Sequence, residues 1–335
     1  MKLVGIDIGG TKILIALIDE NGILKRKVRM VMSDGNYRKI LEKIITEIKK
    51  MQGFGWVSTH PSKPVGSPRL QSGVNEVNKL HNNVAPDFSR GEKSGNISSV
   101  GISIAGDVDG KNGILRYSPN LPKWRNVKLK QYFEKKLNVP TVVDNDANCA
   151  AYGSYIVDGR NKYKNFITVT LGTGVGGGII IDGKLYRGST GSAGEIGHIT
   201  INPDGPKCNC GNRGCLEAYI GTKGIIKTAT KLGFKNITPA IIAYKARKGN
   251  KQAIRVYKKF SEYLSVGIGS LINIFNPDMI TFSGGVSNNW DLIEKRFFDE
   301  LKKRAFKTPL EHVKIIKSKN PENLGAIGAA LLSKK

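Results

Sequence analysis

The residues best equipped for chemistry lie in Gly194–Glu217, which reads GEIGHITINPDGPKCNCGNRGCLE. His198, Cys208, Cys210 and Cys215 combine an imidazole with three thiols at spacings that suit a tetrahedral zinc site. The glycines between them let the chain turn tightly from ligand to ligand. Three of the chain's 4 cysteines fall in this one stretch. Four protein ligands leave no coordination position for water or substrate, so the expected zinc is structural. A disulfide with a spare thiol is the alternative, but nothing in the sequence points to an oxidising compartment. Glu195 and Glu217 flank the loop. Two carboxylates and an imidazole edge held rigidly together could grip a polyhydroxylated ligand, whereas two solvated surface glutamates would grip nothing.

Two further constellations have chemical potential. Gly9-Gly10-Thr11-Lys12 interrupts two strand patterns, Leu3–Ile8 and Ile13–Ile18, and the glycine run Gly172–Gly178 separates Phe166–Leu171 from Ile179–Ile181. Backbone N–H groups in such turns can cradle a phosphate, with Gly172, Thr173 and Gly174 in the second and Thr11 and Lys12 adding a hydroxyl and a charge in the first. Asp7 could hold a magnesium ion through water. The order is strand, turn, strand, unlike the strand, loop, helix of a Walker loop. A third turn, Gly284-Gly285-Val286-Ser287, follows the strand Met279–Ser283. Thr141–Val143 ends in Asp144-Asn145-Asp146-Ala147-Asn148, ahead of a helix through Tyr155. A strand that feeds carboxylates into a helix start is a common catalytic position in open α/β sheets. An aspartate there could equally be the helix N-cap.

The elements that must position these groups follow from periodicity. Asn21-Gly22 predicts a hairpin into Ile23–Val31. The spacing of Ile40, Leu41, Ile44, Ile45 and Ile48 predicts an amphipathic helix over Tyr37–Met51. Gly53–Asn96 lacks periodicity and reads as a disordered insertion, with His60 and His81 solvated. Strand Ser99–Ile104, a hairpin at Asp109-Gly110 and helix Leu129–Leu137 follow. After Phe166 the opening pattern recurs, with an Asp182-Gly183 turn into Lys184–Arg187. Two copies of this unit imply a duplicated fold with two phosphate-gripping turns facing each other across a nucleotide. Short helices then span Tyr219 to Gly249. Ile254–Phe275 and Trp290–Ala305 read as helices, Val313–Ile316 as a strand, and Leu324–Leu332 as a helix of small residues suited to close contact. Cys149 reads as a small buried residue.

The totals allow two domains in 335 residues, with 39% hydrophobic and 24% charged residues as in ordinary globular proteins. No signal-peptide pattern and no apolar run of about 20 residues is present, so a cytoplasmic protein with no membrane partner is expected. The formal net charge of +26 raises the question of a polyanionic partner. The lysines are scattered rather than gathered in a stripe, so no specific nucleic acid is expected.

In this order, DIGGTK, SIAGDVDG, SPNLPKW, DNDANCAAYG, LGTGVGGG, GEIGH with CNCGNRGCLE, and SGGVSNN resemble the ROK family, in particular its glucokinase-like sugar kinases. The resemblance implies an α/β, actin-like (ribonuclease H-like) ATPase fold, two lobes around a cleft with an embedded zinc-binding loop. Residues 1–145 with 320–335 would form one lobe and 146–319 the other. It implies Asp146 as catalytic base, and Asn120, Asn145, Glu195, His198 and Glu217 as sugar ligands. His198, Cys208, Cys210 and Cys215 match the zinc ligands. The turns at Gly9, Gly10, Thr11 and Lys12 and at Gly172, Thr173 and Gly174 match phosphate loops, and Gly284-Gly285 the turn beside adenosine. ATP with magnesium, a hexose phosphorylated at its 6-hydroxyl, and a dimer or tetramer are further implications. Glucose is the favoured substrate, with N-acetylmannosamine, N-acetylglucosamine and fructose as alternatives. The family's sugar-responsive repressors carry an N-terminal helix-turn-helix domain, for which the strand at Leu3 leaves no room.

Overall fold

A computed structural model of the chain describes residues 1–32, 36–52, 96–160 and 162–334. Except for Asn96, the stretch read as an insertion lies outside the described residues, as do His60 and His81.

The chain opens with strands β1 (Lys2–Ile8), β2 (Lys12–Asp19) and β3 (Leu24–Val31), then helix α1 (Tyr37–Gln52) and β4 (Ile97–Ile104). Short strands β5 (Asp107–Asp109), β6 (Ile114–Tyr117) and β7 (Arg125–Lys128) lead into α2 (Leu129–Leu137), β8 (Thr141–Asn145) and α3 (Asp146–Val157). A second series runs β9 (Phe166–Leu171), β10 (Val175–Ile181), β11 (Lys184–Tyr186), α4 (Glu217–Ile220), α5 (Thr222–Lys231), α6 (Pro239–Arg247) and α7 (Lys251–Phe275). It closes with β12 (Met279–Ser283), α8 (Trp290–Leu301), α9 (Lys307–His312), β13 (Lys314–Lys317) and α10 (Leu324–Leu332).

The duplication read from the glycine turns is explicit in the sheets. One five-stranded sheet has the order β3-β2-β1-β4-β8 and the other β11-β10-β9-β12-β13. In each, three antiparallel strands come first and two parallel strands extend the sheet from the first of them. β1 is buried on both faces, and its apolar run LVGI reads accordingly. One side of the first sheet packs on α1 through Ile40, Leu41, Ile44, Ile45 and Ile48. The other packs on α10, where Leu3, Leu14, Ala16 and Ile18 meet Ala326, Ile327, Ala330 and Leu331. Here glycine is required: a Cβ on Gly5 or Gly101 would collide with the α10 backbone, and one on Gly328 with the backbone of α3. The second sheet and α7 share a large core that includes Phe260, Leu264, Ile268, Phe282 and Phe297.

Two local expectations need correction, and one strand carried no expectation. The glycine run does not form one turn over Gly172–Gly178, because β10 already begins at Val175. Gly176 and Gly178 lie in that strand, where a side chain would strike Ala147 and Ala151 of α3, so they serve close helix–sheet contact. Helix α8 ends at Leu301, short of Ala305, in turns closed by Arg304 N–H to the Leu301 carbonyl. Strand β7 pairs with β6 although its sequence, RNVK, carries little strand signal.

Candidate active-site cleft

β8 delivers two carboxylates to the start of α3, and hydrogen bonding separates their roles. Asp144 is buried; its Oδ2 accepts from Arg187 Nε at 2.8 Å and Nη2 at 2.7 Å. Its Oδ1 accepts from the Asn145 amide at 2.8 Å and Asn148 Nδ2 at 3.0 Å. Neither aspartate is the helix cap. Asn145 is, with Oδ1 accepting from the amides of Ala147 at 2.9 Å and Asn148 at 3.3 Å. Its Nδ2 donates to the Gly106 carbonyl at 3.2 Å, which leaves one N–H for a ligand. Asp146, the first residue of α3, is the carboxylate left for chemistry. Burial, then the charge of Asp7, pushes its pKa up to about 6, with Glu195 adding to the rise and the Ala147 amide opposing it. A helix N-terminus alone would lower it, so desolvation and like charge prevail.

Asp146 lines a cleft of about 570 Å³, within the range of small-molecule sites. The same walls carry Gly9, Gly10, Asn120, Asn145, Gly172, Thr173, Gly174, Glu195, His198, Glu217 and Gly284. Four residues singled out from sequence for the nucleotide and its magnesium are not on them: Asp7, Thr11, Lys12 and Gly285. Asp7 accepts from Ser103 Oγ at 2.5 Å, and burial raises its pKa against that hydrogen bond. The Thr11 carbonyl is taken by the Met32 amide.

The glycine turns reach the cleft because of what braces them. Gly9 N–H donates to the Lys12 carbonyl at 3.0 Å, and Gly10 lies against Asn120, whose Cβ would be 3.1 Å from an added Cβ. Gly172 N–H donates to the Gly174 carbonyl at 3.0 Å, and Thr222, which begins α5, donates both N–H and Oγ1 to the Gly172 carbonyl. Glu217 Oε2 accepts from the Val175 amide at 2.9 Å, close against Gly174. Gly284 holds φ +83 beside the Leu171 carbonyl, a conformation that favours glycine.

The sulfur and imidazole donors converge as their spacing predicts. One ligand atom from each of His198, Cys208, Cys210 and Cys215 lies within 4.8 Å of the others. Cys210 Sγ and Cys215 Sγ are 3.7 Å apart, as are Cys208 Sγ and His198 Nδ1. Zn–S bonds of about 2.3 Å would set tetrahedral sulfurs about 3.8 Å apart, so these four donors fit such an ion. All four cysteines are free thiols. The turn is closed by Cys208 N–H to the Asn212 carbonyl at 2.8 Å and by Gly211 and Gly214 at positive φ. His198 turns its other nitrogen, Nε2, toward Glu195 Oε2 at 3.9 Å.

Periodicity and spacing missed Arg187, Thr222 and Asp107. The first two act through carbonyl or carboxylate partners distant in sequence; Asp107, also on the cleft wall, sat in a motif quoted only for its resemblance.

Comparison with known proteins follows the same lines. A model of the ROK family matches residues 74–335. A glucokinase of Thermotoga maritima is 27% identical over 352 residues, covering 100% of this chain and 98% of its own length. A xylose repressor of Caldicellulosiruptor bescii is 33% identical over 245 residues, 69% of this chain and 61% of its own. Among solved structures, a ROK family glucokinase from Streptomyces griseus in complex with glucose and AMPPNP superposes with a TM-score of 0.76 at 27% identity, covering 99% of each chain. The fold is thus the actin-like ATPase fold, and the chain belongs to the ROK family.

Proposed function

We propose that this chain is an ATP-dependent sugar kinase that phosphorylates the 6-hydroxyl of glucose, with Asp146 as general base. The observation that carries the reading is the cleft itself. It sets one carboxylate whose only hydrogen bond among the described residues is from the Ala147 amide, with a pKa near 6, among glycine turns from both sheets and a Glu195–His198–Glu217 group. The glucokinase relatives and the glucose and AMPPNP complex support it.

A sugar hydroxyl is a poor nucleophile at neutral pH. Asp146 would accept its proton while the oxygen attacks the γ-phosphorus and the bond to the β-phosphate oxygen breaks, releasing ADP. Amides of the Gly9–Gly10 and Gly172–Gly174 turns would face the phosphates, and Asn120, the free N–H of Asn145, Glu195, His198 Nε2 and Glu217 the sugar. Magnesium would supply charge neutralisation on the phosphates when bound; Asp7, read from sequence as its water-mediated holder, lies behind the cleft wall with one oxygen taken by Ser103, so it would act only from that position. Zinc on His198, Cys208, Cys210 and Cys215 would keep the sugar-gripping loop in shape. On this reading residues 1–145 with 320–335 make one lobe and 146–319 the other.

A sugar-responsive regulator is the second reading, favoured by the repressor relatives. It needs a sugar cleft but no base. The test is ATP–magnesium turnover against glucose, N-acetylglucosamine, N-acetylmannosamine, mannose and fructose, with sugar affinity measured alongside. Preference for glucose is expected. Preference for another sugar moves only the specificity, whereas sugar binding with no turnover on any of them selects the regulator.

A further inference from the structure

One ion pair stands behind the turn that presents Asp146. The Asp144 side chain is 6% exposed, and each of its oxygens accepts two hydrogen bonds. Because that carboxylate only accepts, Asn148 must turn its NH2 toward it. Asn148 Oδ1 is then left buried without a protein donor, and Asn148 lines a small inner pocket together with Asp146 and Glu195. Arg187 reaches Asp144 from the residue after β11. Its own carbonyl accepts from the Ala193 amide at 3.1 Å, closing the loop 188–193 that leads to Glu195. One residue therefore has its side chain on the strand that leads into the base and its backbone on the sugar-facing loop.

We propose that Arg187 is a positioning residue that sets Asp146 and Glu195 relative to each other while bonding to neither. Its guanidinium clamps Asp144, whose other oxygen holds the Asn145 amide and Asn148 at the first turn of α3; its carbonyl clamps the loop. The proposal rests on Asp146 being the base. Fork geometry matters here: Nε and Nη2 converge on one oxygen from a planar group, which a lysine ammonium cannot reproduce.

The charge and geometric parts of the device are separable. Asp146 is faced by Asp7 of β1, by Asp107 and by Glu195. The Asp144–Arg187 pair is faced by Asp109, Lys111 and Arg116 across an outer cavity, and by Cys149 and Tyr152 of α3. Arg187→Met leaves a buried negative charge two residues from Asp146. The acid limb of kcat/KM should then move up by about one pH unit, while kcat falls about 10²-fold through misplacement of the base. In the Asp144→Asn/Arg187→Met double variant the limb returns to its wild-type position but kcat stays low. Arg187→Lys keeps the limb in place and loses about tenfold in kcat.

Turnover and pH profiles of the four proteins, with calorimetric affinities for glucose and AMPPNP, are the test. Glucose affinity should weaken about tenfold in Arg187→Met, and AMPPNP affinity should stay within about threefold. Wild-type kcat, acid limb and glucose affinity in Arg187→Met overturn the proposal. If that variant does not fold, the double variant and Arg187→Lys decide by the same criteria. Turnover retained by Asp146→Asn sinks the base reading separately, and the glucose-affinity arm then still tests whether Arg187 sets the loop.

Discussion

Asp146 carries a charge where burial and two other carboxylates disfavour it, and two opposed consequences follow. As the proposed base it must be ionised, so kcat/KM should fall as pH drops below about 6. Asp146→Asn should lower kcat by about 10²–10⁴-fold while glucose affinity survives in calorimetry. Its effect on folding has the opposite sign. A carboxyl whose pKa is raised from 3.8 to about 6 on folding contributes stability below pH 3.8, and that contribution is lost as pH rises through 6. Asp146→Asn should therefore melt above wild type at pH 8, by on the order of 1–2 kcal/mol once solvent screening is allowed for, and the gap should close toward pH 4. Equal melting temperatures at pH 8 would argue against a buried charge. The sequence made the carboxylate-bearing strand end legible but left Asp144 and Asp146 undivided. What divides them is Arg187, 43 residues from Asp144 in the chain, and no local pattern reports such a partner.

Among the elements, the loop from His198 to Cys215 was the most legible, because the types and spacings of its four donors already imply the convergence seen in the structure. Its contact with the rest of the cleft was not legible. Glu217, two residues past the last thiol, bonds the Val175 amide at 2.9 Å beside the glycine turn. If the four donors hold zinc as proposed, loss of the metal should loosen both the proposed sugar side and the turn. Dialysis against a chelator is expected to release about one zinc per chain, lower the melting temperature by several degrees, and weaken both glucose and AMPPNP. A metal-free protein with unchanged melting would remove zinc from the account. The misread run at Gly172–Gly178 has a related cause. Glycine marks a tight turn and a close helix contact with the same letter, and only the position of α3 tells them apart.

For the whole molecule, two sheets of the same strand order are joined through α3 and α10, which meet at Gly153 and Gly328. Most of the longer strands and helices were readable from apolar periodicity, though β7 and α9 were not; Phe166–Leu171, Met279–Ser283 and Leu324–Leu332 begin and end as the pattern predicts. Which element covers which was beyond periodicity, since small residues announce a close neighbour without naming it. Gly328→Ala should force α10 from α3 and lower stability by roughly 2–3 kcal/mol, read from the denaturant midpoint; an unchanged midpoint would mean the helices have room. The seat of α10 also bears on how the protein is made. The apolar face formed by Leu3, Leu14, Ala16 and Ile18 is covered by residues about 300 positions later in the chain. At roughly 5–20 residues per second on the ribosome, that face waits about a quarter-minute to a minute for its cover. During synthesis the first sheet is a natural client for a chaperone.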